Sequence, residues 1–134
     1  MPQITRALVI RQPWASMVIA GSKKWEIRGR YTKIRGTVGI IAGGTGTILG
    51  VADLVSVSGP LSQDAYQDAW AERGAPAYKV TPLPYPHTFA WVFTNPESLP
   101  MPMPYAHPNG AVIWVKLSSE TQGRLALRLH DVKG

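Results

Sequence analysis

RQPWASMVIAGSKKWEIR, residues 11 to 28, contains a change of hydrophobic period that sets two neighbouring elements at once. In its first half Trp14, Met17 and Val18 recur at i, i+3 and i+4, the spacing of one helix face. Pro13 presets φ for a first helical turn, and Gly21 stands where a left-handed C-cap ends one. The pattern predicts a two-turn helix over 13–20, with Gln12 at its hinge. From Lys24 to Arg30 the period falls to two: Trp25 and Ile27 take one face, while Lys24, Glu26 and Arg28 take the other. That stretch reads as a strand with a charged face.

Working outward, ALVIR (7–11) reads as a short buried strand before the helix. After it, TKIRG (32–36) turns into an apolar strand over 37–42, GGTG (43–46) connects, and another strand covers 48–57. Ser62 is placed to cap a helix with Tyr66, Ala69 and Trp70 on its apolar stripe, Asp64 in its first turn and Gly74 at its end. Four prolines mark residues 76–87 as a loop. TFAWVF (88–93) and AVIWVKL (111–117) read as strands, with PESLPMPMPYAHPNG between them as a stiff connection. Over 118–131, LALRLHD alternates like a strand, but Ser119 and Gln122 stand at capping-box spacing, and a helix is the expectation. About six strands with two or three helices predict a mainly β fold with added helices (α+β), a small β-barrel in one domain over 1–134.

Composition narrows the function classes. Apolar residues at 45% against 16% charged place the chain among globular domains, and the absence of cysteine removes disulfides, thiolate nucleophiles and Cys-ligated zinc. The apolar N-terminal stretch is broken by Arg11, Gln12 and Pro13, and no apolar run is long enough for a membrane span. A soluble, intracellular, cytoplasmic protein is therefore expected. His87, His107 and His130 lack zinc-ligand spacing, and GGTG lacks the Lys-Ser/Thr of a phosphate-binding P-loop, so neither a metal nor a cofactor is expected. A net charge of +6 attracts polyanions and makes nucleic acid the leading partner class.

GSKKWEIR (21–28) resembles the signature G-x-K-x-x-E-x-R of the activating-signal-cointegrator homology (ASCH) family at all four defined positions. RQPWASMVIAG before it resembles the coactivator-type branch, and YTKIRG (31–36), ILGVADL (48–54), FTNPESLP (93–100) and IWVKL (113–117) extend the likeness over about 7–117, leaving 118–134 as a C-terminal extension. The resemblance implies a PUA-like barrel, the fold of pseudouridine synthases and archaeosine transglycosylases. It also implies association with RNA or DNA, with ribonuclease activity in some bacterial members and N4-acylcytidine amidohydrolase activity in others. The amidohydrolase pattern pairs a Lys with a Thr three residues later. Lys23 matches, but Glu26 stands where the Thr would be, so a Thr nucleophile does not carry over.

On the residues themselves, Glu26 and Arg28 share one strand face, and Lys23 at its entrance completes a cation–anion–cation set. Asp53, in the row with Leu49, Val51, Val55 and Val57, is read either as an anchor for Arg28 or Lys23 or as an acceptor for loop amides. Trp14 is either a base-stacking surface or core, and Gln12 and Asp53 join Lys23, Glu26, Arg28 and Trp14 as the expected ligand contacts. Arg11, Arg30, Lys33 and Arg35, with Tyr31 among them, form a basic stretch suited to phosphates at the pocket rim. The leading expectation is a module binding RNA, single-stranded nucleic acid or a modified nucleoside. The alternative is an amidohydrolase with Glu26 as base and Lys23 as stabiliser; a ribonuclease and a protein-interaction domain rank below. If both side chains face an open pocket, Lys23→Ala and Glu26→Gln should leave folding nearly intact.

Overall fold

The computed structural model describes residues 3–72 and 82–133. The elements run β1 (Arg6–Ile10), α1 (Trp14–Ala20), β2 (Trp25–Arg28), β3 (Gly36–Ala42), β4 (Thr47–Ser58), α2 (Gln63–Glu72), β5 (Phe89–Pro104), β6 (Trp114–Lys116) and α3 (Ser119–Lys133). The six strands form one sheet in the order β2-β5-β4-β3-β1-β6, in which β1 and β3 are parallel and the other pairs antiparallel. The sheet curls so far that Trp91 of β5 stacks on Trp114 of β6, at the other end of the strand order, with ring centroids 5.8 Å apart. This half-barrel with three helices is the architecture of a small PUA-like β-barrel.

Both faces of the sheet are buried. Leu8, Ile10, Val38, Ile40 and Leu54 pack with Ala15 and Val18 of α1 in one apolar cluster. Ala7, Ile41, Ile48 and Val51 point the other way and pack with Leu125 and Leu129 of α3. Burial on both faces is why β1 and β3 read as continuous apolar runs rather than alternating ones. Each fully buried leucine of α3 contributes roughly 1.5–3 kcal/mol.

Two assignments differ from the sequence reading. PESLPMPMP is not a connection: β5 continues through it to Pro104, paired with β4 across three register shifts. Pairing of β5 with β2 ends at Val92, so beyond that point β5 has β4 on one side only. Pro96, Pro100, Pro102 and Pro104 are spaced by even numbers of residues in this edge stretch, where a missing N–H is tolerated. The cap of α3 is Ser118, not Ser119: its Oγ accepts from the Thr121 amide at 3.1 Å. Ser62 does cap α2, accepting from the Ala65 amide at 3.1 Å. Gly74 and the side chains of Ala69 and Trp70 lie outside the described residues.

The loop after β5 is tied by His107, whose Nε2 lies 2.7 Å from the Ala111 carbonyl and whose Nδ1 lies 2.6 Å from the Tyr105 hydroxyl. A carbonyl only accepts, so Nε2 carries the proton and Nδ1 accepts from Tyr105. Burial raises the Tyr105 phenol above its ordinary pKa, which keeps it a neutral donor.

At Gly50, opposite Ser98 in β5, an added Cβ would collide with the backbone carbonyl of Glu97. Gly50→Ala is expected to lower unfolding free energy by about 2–3 kcal/mol in urea titration, against about 1 kcal/mol for the lost cap in Ser118→Ala. Equal midpoints for Gly50→Ala and parent would show that the β4–β5 contact is looser than this geometry requires.

Candidate functional site

The signature motif folds as a helix end, a turn and an edge strand. Gly21 takes φ +83°, and the amides of Ser22 and Lys23 bond back to the Met17 carbonyl at 3.1 Å, which reverses the chain. The reversal sets Lys23 beside β2. There its ammonium donates to the Trp25 carbonyl and lies 3.3 Å from Glu26 Oε1. Arg28, two residues on and on the same face as Glu26, donates Nε and Nη2 to Glu26 Oε2 at 3.1 and 2.8 Å. Its Nη2 also reaches the Val9 carbonyl of β1 at 2.8 Å, and its guanidinium lies 5.5 Å from the Trp91 ring centroid. Lys23 and Glu26 are each only 7% exposed.

This set borders a cleft of about 940 Å³ whose walls also include Val9, Arg11, Trp14, Gly43, Tyr66 and Tyr85. Both Glu26 and Ile27 border it, although they belong to opposite faces of β2. The strand is at the end of the sheet, so the cleft passes along its open edge and meets residues of both parities. Trp14 does not pack into the core: it is 42% exposed, and the Lys23 ammonium lies 5.8 Å from its ring centroid. Tyr85, also 42% exposed, lies against Gly29, where a Cβ would come within 2.9 Å of its ring.

Of the sequence-selected residues, the structure brings Lys23, Glu26, Arg28, Trp14 and Arg11 to one cleft. Gln12 is beside it in sequence but does not border it, and its side chain bonds to Ser16. Asp53 lies elsewhere, accepting from Thr37 Oγ1 at 2.6 Å and Asn95 Nδ2 at 3.1 Å. It neither anchors Arg28 or Lys23 nor accepts from loop amides, because the polar side chains of β3 and β5 satisfy it across the sheet. Arg30, Tyr31, Lys33 and Arg35 also lie off the cleft wall. Arg35 is folded onto its own turn, donating to the Thr32 and Ile34 carbonyls at 2.8 Å and to the Tyr31 hydroxyl at 3.3 Å. Sequence reasoning missed Tyr85 and the glycine wall, since an aromatic inside a proline-rich loop carries no period. It read Tyr66 only as part of a helix stripe.

Among the described residues no group of three or more His, Asp or Glu is placed to hold a metal ion, and no helix is long and apolar enough to cross a membrane. The sequence model of the ASCH domain matches residues 8–103. The chain belongs to the ASCH domain family. Among solved structures it is similar to the ASCH protein of Zymomonas mobilis, with a TM-score of 0.64 and 13% identity over 94% of this chain and 96% of that one. A Ser-to-Ala variant of that protein gives 0.65 and 14%, over 95% and 98%. At these identities the likeness is one of fold. No curated protein sequence matches the chain.

Burial revises the expectation for the charged set. Glu26 is enclosed between two cations, so Glu26→Gln leaves Lys23 and Arg28 without their shared counter-charge. It is expected to destabilise by about 3 kcal/mol in denaturant unfolding rather than being nearly silent. A change below about 1 kcal/mol would mean that water screens the set as it does a surface pair.

Proposed function

We propose that this ASCH protein binds a nucleobase-containing ligand, carried by RNA or single-stranded nucleic acid or present as a modified nucleoside, in the cleft built around GSKKWEIR. One observation carries the reading: an exposed Trp14 ring beside a floor of cations within a cleft large enough for a base and its sugar. An indole face stacks on any base, and Arg11, Lys23 and Arg28 outnumber the single carboxylate of Glu26, which favours an anionic backbone. The Gln-Pro-Trp-Ala-Ser segment that supplies Trp14 assigns the chain to the coactivator-type branch in this reading, and the cytoplasm is where such ligands would be met.

A second reading, hydrolysis of N4-acylated cytosine compounds, draws on the 3.3 Å contact between Lys23 and Glu26. Glu26 would take a proton from water while Lys23 stabilises the developing oxyanion. Both carboxylate oxygens are already engaged, Oε1 by Lys23 and Oε2 by Arg28, and base action requires one to be released. Binding requires no such release and ranks first.

Fluorescence anisotropy with labelled oligonucleotides is expected to show affinity falling linearly with salt on logarithmic axes, and Trp14→Ala is expected to weaken binding roughly tenfold or more. Unchanged affinity in Trp14→Ala removes the stacking role. Chromatography after incubation with N4-acetylcytidine checks the second reading: free cytidine released by the parent would place hydrolysis first, and its absence would remove that reading.

A further inference from the structure

The three cations bordering the cleft are not equivalent. Lys23 and Arg28 share the Glu26 carboxylate, and Arg28 also serves the Val9 carbonyl. Arg11 is exposed, and among the described residues its guanidinium has no ion pair or hydrogen bond. Next to it the chain turns through Gly43 and Gly44, which border the same cleft. The Gly43 amide donates to the Ile10 carbonyl at 2.8 Å and the Thr45 amide to the Ala42 carbonyl at 3.1 Å. These bonds fix the turn and leave the Gly44 amide between them outside its hydrogen bonding. A Cβ at Gly43 would lie 3.5 Å from the Arg11 Cα, so turn and arginine are adjacent; among the described residues nothing beyond its chain neighbours lies within 4 Å of the place a Gly44 side chain would take.

A guanidinium fork without a partner among the described residues, beside a glycine turn whose own bonds leave one amide out, is suited to a tetrahedral oxyanion, which takes two donors from the fork and one from the backbone. The other basic stretch offers no equivalent, because Arg35 is bonded within its own turn and Arg30 and Lys33 do not border the cleft. We infer that Arg11 and the Gly43–Gly44 turn form a phosphate subsite of the cleft, so that its ligand class is a nucleotide, a nucleobase carrying a phosphate ester, rather than a free nucleoside. The inference rests on the nucleobase reading above.

The test is titration of the full chain at low salt with cytidine, its 3′- and 5′-monophosphates and inorganic phosphate, followed by tryptophan fluorescence and NMR shifts. At least one monophosphate is expected to bind roughly tenfold or more tightly than cytidine. The gap closes in Arg11→Gln and narrows in Arg11→Lys, which keeps the charge but loses the fork. Arg11→Gln should melt with the parent, since its guanidinium bonds to nothing among the described residues. Equal affinity for cytidine and both monophosphates in the parent overturns the phosphate subsite and leaves the nucleobase reading standing. A monophosphate preference that persists in Arg11→Gln overturns the assignment to Arg11. Binding of phosphate and both monophosphates with equal affinity, without binding of cytidine, supports the subsite and overturns the nucleobase reading. Absence of binding by all four probes overturns both.

Discussion

The carboxylate of Glu26 is held between Lys23 and Arg28, and the geometry of the open side of the sheet follows from that arrangement. Oε2 takes two donors from one guanidinium, which fixes its plane. So oriented, Arg28 reaches the Val9 carbonyl and lies over Trp91, whose ring also stacks on Trp114 and whose Nε1 donates to the Arg30 carbonyl at 2.9 Å. Strands β2 and β1 share no ladder. A charged side chain and two indoles bridge the gap that hydrogen bonds between strands would otherwise fill.

The same bridge accounts for the cleft. An incompletely closed sheet leaves the edge of β2 accessible, and the residues there serve the fold and the site together. Burying one anion with two cations satisfies the anion and leaves the wall positively charged, and Arg11 adds to the excess. Structural support and attraction for an anionic ligand therefore arise from the same side chains. Substitution within the set cannot separate them, whereas Trp14 and Arg11 stand outside it.

Legibility in the sequence followed physical range. The helix of residues 13–20, the strand after it and the buried runs of β1, β3 and β4 were readable because their periods are local and Gly21 ends the helix by a conformation that glycine adopts without a steric cost. The even-spaced prolines of β5 were misread because Pro is usually excluded from ladders; the stretch is an edge, a property of strand order and not of the residues. Trp14 has helical spacing yet faces the cleft, since period says which residues share a face but not what that face meets. Asp53 was paired with the wrong elements for a related reason: Thr37 and Asn95 reach it only across β3, β4 and β5.

By itself, then, the sequence determined the family signature, the proximity of Lys23, Glu26 and Arg28, and a mainly β fold with added helices, all of which depend on separations of a few residues. Only the tertiary structure decided that Arg28 spans to Val9, that Tyr85 and the Gly43–Gly44 turn join the wall, and that Arg30, Lys33 and Arg35 do not. Those relations are set by the curl of the sheet, which brings residues distant in the chain to one open edge and carries near neighbours away from it.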